Sequence, residues 1–277
     1  MKTITLLLLA FLILISAHSY LAVGILYQDE IPSLKLSNEL LILSQAMHDI
    51  DSVDSLAVPS FLNPVKYLTN CFSSEVLIAT NDESGYISVS FGATASLMDI
   101  IVNFYQIACT YYGPNGAEIE DAGRVHNGQN DVLFNTGLYD EIEKEVMSLY
   151  KSNQTYSVHV TGHSQGGALS VLLAPMLAKS NPNMNISAIT FGQPRCVKNQ
   201  FKEWSRKLTN LGLWQIVLRR DPIPRSPGSW RGYRHAGHLI QLEDNGSNLY
   251  YQHTGGDGYA SVSENWEGEN EEMGYKC

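Results

Sequence analysis

The pentapeptide Gly162-His163-Ser164-Gln165-Gly166 stands between an alternating segment, Tyr156 to Thr161, and an apolar one, Gly167 to Ala174. Alternation predicts a strand and the apolar run a buried helix. A serine on the sharp turn between them projects its hydroxyl above the sheet, and small neighbours are needed where the backbone folds back so tightly. A serine hydroxyl is a poor nucleophile at neutral pH. It needs a base to take its proton and a carboxylate to orient that base.

Asp221 is the candidate carboxylate. It follows the predicted strand Leu213 to Leu218, at the end where open α/β sheets place functional groups. Pro222 and Pro224 stiffen the loop that carries it. Three histidines follow Asp221: His235, His238 and His253. His253 sits in the predicted loop Tyr251 to Gly256 and is the candidate base, with His235 and His238 as rivals. His159 falls on the strand and His163 inside the turn, so neither competes. This chemistry requires no metal or organic cofactor.

The surrounding elements are legible from periodicity. Leu36 to Val53 reads as a helix. Val76–Thr80 and Tyr86–Phe91 read as two strands joined by the turn Asn81 to Gly85. Leu138, Ile142, Val146 and Leu149 recur at helical spacing, predicting a helix over Thr136 to Lys151. Ala188–Phe191 reads as a strand and Gln200–Leu208 as a helix. Helix and strand alternate around Ser164, which implies an α/β fold, a mostly parallel central sheet with helices on both faces.

Lys2, the apolar run Leu6–Ile15 and the small residues Ala17 and Ser19 have the order of a signal peptide. The expected division is a signal peptide over residues 1–19 and a single domain over 20–277. No later run is long and apolar enough to span a bilayer, so a secreted or lumenal protein is expected. Sequons at Asn153, Asn185 and Asn245 fit a glycoprotein. Cys71, Cys109, Cys196 and Cys277 allow two disulfides in an oxidising compartment, with Cys71–Cys109 the favoured pair among three possible pairings. The formal net charge of −10 argues against a nucleic-acid partner and against docking on anionic lipid by overall charge. Part of that charge is a C-terminal acidic cluster from Asp257 to Glu272, read as a solvated tail.

Five ordered motifs resemble the fungal-type, class 3 triacylglycerol lipase family: Val125-His126-Asn127-Gly128, Val160 to Leu169, Thr190 to Arg195, Asp221 to Arg225, and Gly232 to Gly237. The resemblance runs from about Val76 to about His238, and Gln165 stands where the family usually has Leu. It implies an α/β-hydrolase-like fold and a lipid or ester substrate. The oxyanion hole would be formed by the backbone N–H groups of Gln165 and Thr94. In Phe91-Gly92-Ala93-Thr94, Gly92 and Ala93 replace the Arg and Gly that the family prefers.

The segment after Thr94 is implied to be a lid, with Leu97, Met98, Ile100 and Ile101 as an apolar face that meets lipid transiently. In the family His235 would not be the base, and the catalytic His lies about where this chain stops. A second expectation therefore stands beside hydrolysis: a C-terminally truncated, catalytically inactive lipase-like protein that binds lipid or a partner. A feruloyl esterase, phospholipase or acyltransferase on the same fold is a third.

Overall fold

The computed structural model describes residues 31–47, 56–70, 74–92, 108–218 and 221–242. The signal peptide, the lid residues Leu97 to Ile101, Thr94, His253, Cys71, Cys277 and the sequon at Asn245 lie outside them.

The framework is a seven-stranded sheet in the order β1 (Asn63–Thr69), β2 (Glu75–Asn81), β3 (Tyr86–Phe91), β6 (Ser157–His163), β7 (Ile186–Phe191), β9 (Leu211–Leu218) and β11 (His238–Leu242). The first three run antiparallel; β3, β6, β7, β9 and β11 are mutually parallel. All five parallel strands therefore end at one edge, and that edge carries the site. The β2–β3 turn is fixed by Asn81: its carbonyl accepts from Gly85 N–H at 2.8 Å, and its side chain accepts from Ser84 N–H at 2.9 Å.

Helices cover both faces. On one side α1 (Leu34–Ala46), capped by Ser33, packs Leu40 and Leu41 against Ile189, Phe191, Trp214 and Ile216. It stops short of the expected Val53, and residues 48–55 are outside the described set. On the other side α3 (Leu138–Ser152) buries Leu138, Tyr139, Ile142 and Val146, the spacing of one helical face. Beside it α4 (Gln165–Ser180) is buried from Gly166 to Ala178. A helix apolar all round belongs in the middle of a core. Each of its fully buried leucines contributes roughly 2 kcal/mol by leaving water.

A second, antiparallel sheet in the order β10 (Tyr233–Arg234), β8 (Val197–Lys198), β5 (Arg124–His126), β4 (Ala108–Thr110) was not expected from the sequence. Its strands are two or three residues long, too short for alternation to register. Two short helices flank it, α2 (Asn127–Phe134) and α5 (Asn199–Ser205). Cys109 on β4 and Cys196 just before β8 are free thiols, which counts against a Cys71–Cys109 bond. Among the described residues no helix is long and apolar enough to cross a membrane.

Candidate active site

Ser164 follows the last residue of β6 and precedes the first of α4. Its backbone has φ 53° and ψ −119°, a region that a residue with a Cβ occupies at a cost of about 1–3 kcal/mol. The surroundings enforce the turn. A Cβ on Gly162 would lie 2.5 Å from the Gly166 carbonyl carbon, and one on Gly166 would lie 2.7 Å from the Phe91 carbonyl oxygen. A Cβ on Gly167 would approach Gln193 Cβ at 3.1 Å. Strand, helix and neighbouring β3 therefore meet with no room for a side chain at Gly162 or Gly166, and with a tight fit at Gly167. Ser164 N–H donates to Phe191 O at 2.9 Å, tying the corner to β7.

Ser164 is 1% exposed. Among the described residues its Oγ has no hydrogen-bond partner. Gln165 opens α4, so its N–H belongs to the helix N-terminus, the end that carries the positive half of the helix dipole. Phe91 ends β3 and Gly92 follows it, and both of their carbonyls lie directly beside Gly166 at the elbow.

Asp221 is buried just past the end of β9, and its N–H donates to Leu218 O at 3.1 Å. Its Oδ1 accepts from Ile223 N–H at 2.9 Å. β6 and β9 are separated only by β7, so Ser164 and Asp221 stand on the same edge two strand spacings apart, about 10 Å between strand axes. Two side chains with an imidazole between them fit that span.

The acid loop is clamped from two sides, and sequence reasoning assigned neither clamp. Arg195 donates from its backbone N–H to Ser226 O at 2.8 Å and from Nη1 to Pro227 O at 2.9 Å and Arg225 O at 2.5 Å. His235 Nε2 donates to Pro224 O at 2.7 Å. Burial pushes the His235 imidazole down to about 4, opposed by the Pro224 carbonyl and helped by the nearby Arg195 charge. It is a neutral ring committed to the loop backbone. Arg195 had been visible only as part of a motif, without a role.

His238 is placed elsewhere again. It pairs with Trp214 in register and stacks on that indole with centroids 4.4 Å apart. Trp214 aligns with Ile189, and Ile189 with Thr161, three residues before Ser164. Three strand spacings, about 14 Å, therefore separate His238 from the Ser164 strand, with about 10 Å more along it. Neither rival is brought to Ser164 as a base. His159 is a structural histidine, with Nδ1 2.7 Å from Ser187 Oγ and Nε2 3.0 Å from Ser157 Oγ. Burial pushes it down to about 4.

Gln193 explains part of the motif after β7. It is fully buried; its Oε1 accepts from Thr190 Oγ1 at 2.8 Å, and its Cβ lies close under Gly167. It wedges the β7 exit against the start of α4. His126, from the earlier motif, is buried at the end of β5, with its ring 6.3 Å from that of Tyr233.

The sequence pattern of the lipase (class 3) family matches residues 88–230, from β3 through the elbow to the acid loop. The chain belongs to the class 3 lipase family. Its α/β-hydrolase fold is shared with a solved triacylglycerol lipase whose catalytic centre is a serine protease triad. That match has a TM-score of 0.65 and 23% identity, over 76% of this chain and 80% of that one. Among curated relatives, the lipase of Rhizomucor miehei is 27% identical over 184 residues, 64% of this chain and 47% of that protein. The secreted mono- and diacylglycerol lipase 1 of Fusarium solani is 27% identical over 158 residues, 57% and 44% respectively. The chain thus spans less than half the length of these two relatives.

Proposed function

We propose that the protein is a secreted serine carboxylic-ester hydrolase acting on acylglycerols. The observation that carries this reading is Ser164, held at positive φ on a corner where Gly162 and Gly166 leave no room for a side chain, on the same sheet edge as Asp221. Membership of the class 3 lipase family and the acylglycerol lipase names of relatives support the substrate class.

In this reading His253 is the base. β11 runs parallel to β9, and its last residue, Leu242, lies at the edge that holds Ser164 and Asp221, with His253 following in the sequence. His235 and His238 are engaged elsewhere. His253 takes the Ser164 proton as Oγ bonds to the ester carbonyl carbon. Asp221 holds the imidazole in the required tautomer. The N–H groups of Gln165 and Thr94 hold the oxyanion. Collapse breaks the ester C–O bond, and the proton passes from His253 to the leaving alcohol. Water then repeats the sequence, releasing the fatty acid and restoring Ser164.

Residues 97–101 act as the lid, and residues 1–19 are removed on secretion. Asn153 and Asn185 precede β6 and β7, at the edge opposite Ser164. Glycans there leave the site open.

Hydrolysis of short-chain and long-chain glycerides by purified protein tests the reading. Activity that disappears in Ser164→Ala and His253→Ala, with both variants folded, supports it. Folded, lipid-binding protein with no esterase activity would instead establish the inactive lipase-like alternative.

A further inference from the structure

The small sheet carries a feature that ester hydrolysis leaves unused. Val125 pairs with Val197, which in an antiparallel ladder sets Arg124 beside Lys198, and Lys198 pairs with Tyr233. The Lys198 ammonium lies 3.5 Å from the Tyr233 ring centroid. Among the described residues no carboxylate lies within ion-pair distance of Arg124, Lys198 or Arg234. The Lys198 ammonium is pushed down by burial and by the charges of Arg124 and Arg234, so these cations repel one another. Their hydrogen bonds go to the backbone carbonyls of Ala108, Arg231, Ser229 and Tyr233, which leave the net positive charge of the cluster uncompensated.

An exposed aromatic stands next to it. Trp230 is 81% exposed, the most exposed of the large apolar side chains described. It is nevertheless held in place. A Cβ on Gly228 would lie 2.3 Å from the indole nitrogen, so the ring rests on the Gly228 backbone. The Arg231 guanidinium carbon sits 4.6 Å from the Trp230 ring centre, and Lys198 Nζ donates to Arg231 O at 2.6 Å. Indole and cations are thus one presented surface. It is attached to the Asp221 loop, which continues through Trp230 into β10.

We propose that Arg124, Lys198, Arg231 and Arg234, with Trp230, dock the protein on an anionic phospholipid surface. Charge complementarity argues for the occupant. A chain of net charge −10 is repelled by an anionic interface in most orientations, and this face reverses the sign locally. Indole rings settle at the headgroup level, where one side is apolar and the other wet. Arginines beside it pair with phosphate oxygens. Overall charge had argued against anionic lipid; the spatial separation of charge removes that objection. Docking does not depend on hydrolysis.

Flotation of the full chain carrying Ser164→Ala, which leaves lipid intact, tests the docking. Vesicles of phosphatidylcholine alone are compared with vesicles that also contain phosphatidylglycerol. The protein is expected to float with the anionic vesicles and to be released by salt. Arg124→Gln with Arg231→Gln should weaken that binding about fivefold per charge removed. Trp230→Ser, at an exposed position that spares the fold, should also weaken it while leaving the salt dependence in place. Equal binding to both vesicle types, unchanged binding of the folded variants, or retention on a soluble polyanion but not on vesicles would each overturn the proposal. Active-site labelling with a fluorophosphonate reads the hydrolase assignment separately, so either can fail alone.

Discussion

Ser164 and Phe191 are joined by one backbone hydrogen bond, N–H to carbonyl at 2.9 Å, that fastens the nucleophile corner to the next parallel strand. The corner cannot relax without loosening β7, and β7 lies between the candidate nucleophile and the acid. The strain at Ser164 is therefore supported by the sheet rather than by local turn residues alone.

Adding a methyl group inside that corner should show how tightly it is built. Gly162→Ala places a carbon 2.5 Å from Gly166, where backbone and not a flexible side chain must give way. The expected loss is about 2–3 kcal/mol of stability, together with loss of esterase activity. Urea unfolding of the variant beside the parent reads the first effect. An unchanged midpoint would mean that the elbow is far looser than the structure depicts.

Asp221→Asn preserves shape and still accepts the Ile223 N–H through its amide oxygen. It removes the charge that stabilises an imidazolium. The expected result is a kcat lower by roughly 10³–10⁴ with little change in thermal midpoint. A drop of less than tenfold would place the acid of the reaction elsewhere.

Acid sensitivity follows from His159. Its folded pKa, about 4, lies below the ordinary value of 6.5 because burial disfavours the cation. Between those values the unfolded chain binds more protons, so stability is fully present above about 6.5 and falls as pH drops toward 4. The contribution lost between pH 7.5 and 5 is roughly 2 kcal/mol. His235, depressed for the same first cause, adds in the same direction. His159→Gln should flatten the pH dependence of urea unfolding over that window; a slope equal to the parent's would refute the assignment.

Arg195 acts by holding the acid loop to the β7 exit through the Arg225 and Pro227 carbonyls. Arg195→Met keeps much of the packing and removes the donors. kcat should fall at least tenfold with KM nearly unchanged, since a displaced Asp221 misorients the base without touching substrate. The acid limb of the pH–rate profile should shift as well, a change that a purely structural residue would not produce.

Five of the seven strands of the central sheet were readable from alternation or short apolar runs, and its helices from a repeating face, as Leu138, Ile142 and Val146 show; the two edge strands β1 and β11 were not. Ser164 and Asp221 were readable because each sits at a strand end, between small or ring-constrained residues. The small sheet was not, since a pair such as Val197–Lys198 has no period to detect. The clamps on the acid loop were also invisible. Arg195 and His235 reach backbone carbonyls roughly thirty and eleven residues away, contacts set by tertiary packing that leave no local sequence mark. His235 looked like a rival base because only its position after Asp221 was known; in the fold its Nε2 is bonded to the Pro224 carbonyl of the acid loop.

The most direct test of the account is covalent. Folded protein is treated with a fluorophosphonate, digested, and analysed by mass spectrometry beside Ser164→Ala and His253→Ala. An assembled site gives a single adduct on the peptide containing Ser164, absent in the first variant and slowed by orders of magnitude in the second. A folded chain that stays unlabelled, or takes the label on another residue, would contradict it.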